Sequence, residues 1–124
     1  MATYADHDAE DRATLERHGV TTQPAYKAVS PGIQAVQARF KIQGNGKPRL
    51  FLMRGALASA DPLLEAAKKP LCLQDELPGY AWMPTQDGKP HKEQPIKDND
   101  HGADAMRYLV ATLEGKQSMR AYVI

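Results

Sequence analysis

Asp98, Asp100, His101 and Asp104 fall within seven consecutive positions near the end of a 124-residue chain. Carboxylates with an occasional imidazole are what a hard divalent cation takes as ligands, provided they converge from several parts of the chain. A helix over this segment sets His101 and Asp104 three residues apart on one side, facing away from an apolar stripe of Met106, Leu109, Val110 and Leu113. Asp6, just after the short apolar and aromatic run Thr3–Ala5, offers a carboxylate at the end of a strand. Asp6, His101 and Asp104 together fit metal-assisted phosphodiester cleavage, in which ions about 4 Å apart activate a water and stabilise the leaving oxygen. Acids at a helix N-terminus are equally what capping and the helix dipole favour, and both explanations stand at this level.

The elements that must position these groups alternate. Thr3–Ala5 reads as a strand, and Asp8 as the N-cap, with Asp11 in the capping-box position, of a helix that ends before Gly19. Thr22–Val29 is a second strand candidate, confined by Pro24 to an early or edge position. Ser30 and Pro31 read as N-cap and first residue of a helix with Ile33, Val36 and Phe40 on one face, ending by Gly44. Arg49–Arg54 encloses Leu50-Phe51-Leu52-Met53, the pattern of a buried third strand. Strand, helix, strand, helix, strand predicts an α/β fold with at least three parallel strands and functional groups at their carboxyl ends. Asp61-Pro62 opens a short helix to Lys68, and Pro78-Gly79 precedes Tyr80 and Trp82. Met83–Lys97, with Pro84, Gly88, Pro90 and Pro95, reads as an exposed loop or hairpin. Asp98 or Asn99 then caps a final helix to about Glu114, closed by Gly115.

Composition bounds the rest. The chain is 42% hydrophobic and 25% charged, the balance of one globular domain or a piece of one. Its apolar runs are too short to cross a bilayer and no signal pattern opens it, so a cytoplasmic location without a membrane partner is expected. Cys72 is the single cysteine, which excludes an intrachain disulfide and a cysteine-based zinc cluster; a buried, inert thiol is expected. The net charge of +1 decides nothing, but its distribution is uneven. No Asp or Glu occurs from Arg17 to Ala60, a stretch that holds Lys27, Arg39, Lys41, Lys47, Arg49 and Arg54, while acids gather at Asp6–Glu16 and Asp98–Asp104. That segregation suits phosphate binding beside a metal site. Gly44-Asn45-Gly46-Lys47 has the wrong spacing for an ATPase phosphate loop and runs into Pro48. There is no Gly-x-Ser-x-Gly elbow.

The ending Pro95-Ile96-Lys97-Asp98-Asn99-Asp100-His101-Gly102-Ala103-Asp104-Ala105-Met106-Arg107-Tyr108 resembles the close of the phage large-terminase nuclease domain, in which a Lys, an Asp-His, an Asp three residues after the His and an Arg-Tyr follow in this order. Tyr4-Ala5-Asp6 resembles the strand end carrying that family's second catalytic acid, and Ala25-Tyr26-Lys27, Gly32-Ile33, Asp75-Glu76 and Tyr80-Ala81-Trp82 match further landmarks in order. The resemblance implies an RNase H-like nuclease using Mg²⁺ or Mn²⁺ to cut concatemeric viral double-stranded DNA during packaging, in company with other terminase or portal subunits in the host cytoplasm. Within it, Asp6, His101 and Asp104 hold the metal, and Lys27, Lys97 and Arg49 meet DNA phosphate. The family's first catalytic Asp and its packaging ATPase would lie upstream of Met1. Residues 1–124 are therefore expected to be the C-terminal half of one nuclease domain, as in a truncated prophage product, with impaired activity in isolation. The rival expectation is a non-catalytic nucleic-acid-binding or assembly module built on the basic stretch Arg17–Arg54.

Overall fold

The computed structural model describes residues 2–6, 8–83 and 94–121, the side chains of 116–121 excepted. Among these the chain is mixed α/β, with five α-helices and a two-stranded parallel sheet. It divides into two units, Met1–Val36 with Arg107–Ile124, and Gln37–Met106, the division falling within the second and fifth helices.

In the first unit β1 (Thr3–Ala5) and β2 (Thr22–Pro24) pair in parallel, with Thr3 opposite Thr22 and Ala5 opposite Pro24. Parallel neighbours require a crossover, and α1 (Ala9–Arg17) is it. Pro24 has no N–H to give the ladder, so β2 closes there and the Ala25 amide donates to the Ala5 carbonyl instead (3.0 Å). The expected second strand is thus shorter than Thr22–Val29. Asp8 caps α1 as its sequence position requires, accepting from the amides of Glu10 (2.9 Å) and Asp11 (3.1 Å), and Gly19 at φ +83 follows its end. No residue of α1 is buried. The helix is held by that cap and by Arg12, whose Nε donates to the buried Thr22 hydroxyl (3.0 Å). Asp8→Ala is therefore expected to destabilise the protein by about 1 kcal/mol in urea unfolding; a change below about 0.3 kcal/mol would mean that the ties of Arg12 and Glu16 to Thr22 suffice to fix α1.

Helix α2 (Val29–Phe40) begins before the expected Ser30 cap. Ala28 supplies the first carbonyl, accepting from the Gly32 amide (3.2 Å), and Pro31 sits within the first turn, where a missing N–H costs nothing. Ala25, Val36, Val110 and Ala111 are the buried apolar residues among the described residues of this unit, all small or β-branched. The last helix, α5 (His101–Ala121), is tied in by Thr112, whose hydroxyl donates to the Tyr108 carbonyl (2.7 Å) and accepts from the Tyr26 amide (3.0 Å).

In the second unit a tight loop returns from the end of α2, with the amides of Arg49 (2.8 Å) and Leu50 (3.1 Å) both donating to the Arg39 carbonyl. The expected third strand is not formed here: no ladder is assigned to Leu50–Met53, and Phe51 and Met53 are 68% and 79% exposed. The continuous apolar run is there without a paired backbone, and two parallel strands are present among the described residues. Helix α3 (Pro62–Ala66) is capped by Asp61, as its Asp-Pro signal indicates. Helix α4 (Leu73–Glu76) and a 3-10 turn, Leu77–Gly79, follow. Trp82 and Pro95 form an antiparallel bridge, with the Met83 amide on the Gln94 carbonyl (2.9 Å) and the Ile96 amide on the Ala81 carbonyl (2.8 Å). The expected loop or hairpin between them lies, over residues 84–93, outside the described residues.

Candidate functional site

The start of α5 is where the acids of the final segment are placed. Asn99 takes a left-handed conformation (φ +49), and the helix begins at His101, later than either Asp98 or Asn99 would have set it. Asp100 occupies the N-cap position, its carbonyl accepting from the Asp104 amide (2.8 Å). Its carboxylate does not cap the helix. The cap comes from Glu76 at the end of α4, whose Oε2 accepts from the Ala103 amide (2.9 Å). Gly102 makes room for it: a Cβ there would lie 2.9 Å from the same Oε2. An anion against the helix N-terminus satisfies the exposed amides and the dipole together.

With the cap supplied from elsewhere, Asp100 and Asp104 both turn toward Lys97. Asp104 Oδ2 accepts from Lys97 Nζ (2.8 Å) and Asp100 Oδ2 stands 3.1 Å from the same nitrogen. The second approach is an ion pair outside hydrogen-bond direction, since Asp100 Oδ2 is buried with no hydrogen-bond partner. Tyr80, beyond the 3-10 turn, donates its hydroxyl to Asp104 Oδ1 (2.9 Å). Asp100 and Asp104 are 8% and 9% exposed, whereas the Lys97 side chain is 63% exposed. The hydrogen bond to Asp104 raises the Lys97 pKa well above 10.5; burial opposes the rise and Asp100 adds to it. The arrangement is a pair of buried carboxylates sharing one cationic head.

In the first unit Asp6 lies just beyond β1 and Lys27 just beyond β2, at the carboxyl ends of the parallel pair. Their side chains form an ion pair, which raises the Lys27 pKa through the hydrogen bond to Asp6 against the opposing effect of burial. Both are substantially exposed, so the pair itself adds little stability. Arg107 fixes the backbone behind it. This guanidinium, 3% exposed, donates from Nη1 to the carbonyls of Lys27 (3.0 Å) and Ala28 (3.3 Å) and lies 4.7 Å from the centroid of the Tyr108 ring. Lys27 Nζ stands 5.8 Å from that same ring. The Arg-Tyr pair of the terminal motif thereby holds the turn that carries Lys27.

Set against expectation, Lys27 and Lys97 each meet a predicted carboxylate rather than standing free for phosphate, and Arg49 is exposed. Asp104 does not face away from the buried side of α5, as expected; it is buried beside Ala103, while His101 is exposed. Asp6 belongs to the first unit, and His101 and Asp104 to the second. Among the described residues no group of three or more His, Cys, Asp or Glu side chains gathers to hold a metal ion. Asp100, Tyr80 and Glu76 were not singled out for these roles, and local spacing carries no signal for them beyond the presence of Asp100 in the acidic cluster. Cys72 is half-buried at the N-cap position of α4, with Sγ 3.4 Å from Asp75 Oδ2. No helix among the described residues is long and apolar enough to cross a membrane.

No family model, curated protein or solved structure matches this chain.

Proposed function

We propose that the chain is part of a metal-dependent endonuclease of the phage large-terminase kind, an RNase H-like domain with at least three parallel strands, acting on double-stranded DNA. The observation that carries the reading is the separation of capping from charge at the start of α5. Glu76 meets the needs of the helix terminus, so the cap does not account for Asp100 and Asp104, which converge on a cation. Two buried carboxylates converging on one cationic head in this way are a candidate cation-handling site. Asp6 at the end of a parallel strand and the backbone hold of Arg107 on Lys27 add support from the first unit.

On this reading Asp6, His101 and Asp104 are the ligands of Mg²⁺ or Mn²⁺, which when bound supplies an activated water and neutralises the leaving oxygen. Lys27 and Lys97 hold the carboxylates neutralised and exchange them for DNA phosphate. Two-metal cleavage uses more carboxylates than Asp6 and Asp104 supply, so cleavage by this chain is expected to be impaired. Other terminase or portal subunits are the protein partners, and the host cytoplasm is the location, that this reading implies. The second reading, a non-catalytic nucleic-acid-binding or assembly module, is favoured by the exposure of Lys41, Lys47, Arg49 and Arg54 in the acid-free stretch.

Calorimetric titration with Mn²⁺, beside Asp6→Ala and Asp104→Ala and with supercoiled-plasmid cleavage in the same buffers, separates them. The nuclease reading expects saturable Mn²⁺ binding that weakens at least about tenfold in each variant. DNA binding that falls with salt but shows no Mn²⁺ dependence, together with no heat of Mn²⁺ binding, would overturn it in favour of the module.

A further inference from the structure

The loop that follows α2 combines features that neither the candidate carboxylates nor their lysines use. Lys41, Lys47 and Arg49 are exposed, and no ion pair engages them among the described residues. Their positions are fixed by backbone hydrogen bonds. The Gln43 amide donates to the Lys47 carbonyl (3.0 Å), the Gly46 amide to the Gln43 carbonyl (2.9 Å), and the Lys47 amide to Asn45 Oδ1 (3.1 Å). Gly46 at φ +76 takes the turn position that an L side chain would strain. Gln43 Nε2 donates to the Lys41 carbonyl (2.7 Å), and Arg49 and Leu50 close the loop on the Arg39 carbonyl. Immediately beyond, Phe51 is 68% exposed.

Three cations on one closed loop, with no acid from Arg17 to Ala60 to balance them, call for a polyanion. The adjacent open aromatic face narrows the choice. A duplex hides its base faces, whereas a single strand offers them for stacking, and cationic side chains beside an aromatic platform are how such strands are held. We infer that the Lys41–Phe51 loop is a contact surface for single-stranded nucleic acid, with Lys41, Lys47 and Arg49 along the phosphates and Phe51 stacked on a base. The inference shares a nucleic-acid partner with the proposed function but does not depend on metal or cleavage.

The test uses the full chain in EDTA, so that failure of the nuclease reading cannot affect it. Fluorescence anisotropy with a labelled 20-nucleotide single strand and with the same sequence as duplex is followed across a salt series. Changing Lys41, Lys47 and Arg49 together to Gln is expected to lower the salt slope on the single strand by roughly 2, at about 0.7 for each phosphate contact. Phe51→Ala is expected to weaken single-strand binding about tenfold with the slope unchanged, and duplex binding hardly at all. Lys69→Gln, an exposed lysine outside the loop, controls for net charge. An unchanged slope in the triple variant, an equal loss from Lys69→Gln alone, or equal weakening of both DNA forms by Phe51→Ala overturns the inference. A change in sedimentation of Phe51→Ala without a change in DNA binding does so too, assigning the exposed segment to strand pairing between chains.

Discussion

Asp104→Ala is expected to lower the stability of the protein by about 2–4 kcal/mol at neutral pH, a large loss for one carboxylate. Tyr80 donates a charge-assisted hydrogen bond to Oδ1 in a buried setting, which contributes about 1.5–3 kcal/mol. Lys97 adds less than its short contact with Oδ2 suggests, since its side chain is 63% exposed and the pairing is screened to roughly 1 kcal/mol or below. Neutral pH is the right condition. The Lys97 pKa is raised by folding, so its contribution is complete below about 10.5 and is lost only as pH climbs through the raised value. Asp104→Asn retains an acceptor for Tyr80 and loses the charge, and should cost about half as much. Urea unfolding of both variants beside Tyr80→Phe apportions the effect. If Asp104→Ala unfolds within about 0.5 kcal/mol of the parent protein, the Tyr80–Asp104–Lys97 arrangement contributes nothing to the fold and its cation-holding geometry loses its support.

What the sequence made legible was local. Asp8 and Asp61 each precede a helix and bond the amides two and three residues on, so position and residue type sufficed to find both caps. By sequence Pro24 only confines a strand over Thr22–Val29 to an early or edge position, whereas in the fold its missing donor ends the strand there. The start of α5 escaped because its cap comes from Glu76, 27 residues upstream of Ala103, whereas the sequence offered only the local candidates Asp98 and Asn99. The buried face of that helix was misread for a related reason. Hydropathy placed Leu109 and Leu113 inside, yet they are 46% and 37% exposed, while Ala103, Asp104, Arg107, Val110 and Ala111 are buried. Periodicity assigns a charged residue to water unless a partner is known, and the partners of Arg107 are backbone carbonyls that no side-chain pattern reports. The third strand expected at Leu50–Met53 is unpaired among the described residues: apolar content gives a segment a preference for burial, but a ladder needs a second backbone. For the candidate site, the terminal motif named Lys97 and Asp104 and an upstream landmark named Lys27, whereas the pairing of each lysine with a carboxylate is a tertiary fact.

The glycine at position 32 offers the sharpest check on how Arg107 is held. Gly32 lies inside α2, where replacement of glycine by alanine ordinarily stabilises by up to about 1 kcal/mol. Here a Cβ would meet Arg107 Cγ at 2.7 Å and Cδ at 3.1 Å. Those are stem atoms of a buried side chain whose head is fixed on two carbonyls, so it has no cheap way to yield. Gly32→Ala is therefore expected to destabilise by about 1–3 kcal/mol. Arg107→Ala should cost about 2–4 kcal/mol, since it opens a gap and removes the charged donor from the Lys27 carbonyl. Combined, the two changes should not add. Without the Arg107 stem the obstruction is gone, and Gly32→Ala should reverse sign and stabilise the Arg107→Ala background by about 0.5–1 kcal/mol, a coupling of about 1.5–4 kcal/mol. Denaturant unfolding of the four proteins in the cycle measures it. Simple additivity would show that the close approach relaxes at no cost, and with it would go the claim that Arg107 rigidly fixes the turn carrying Lys27 toward Asp6.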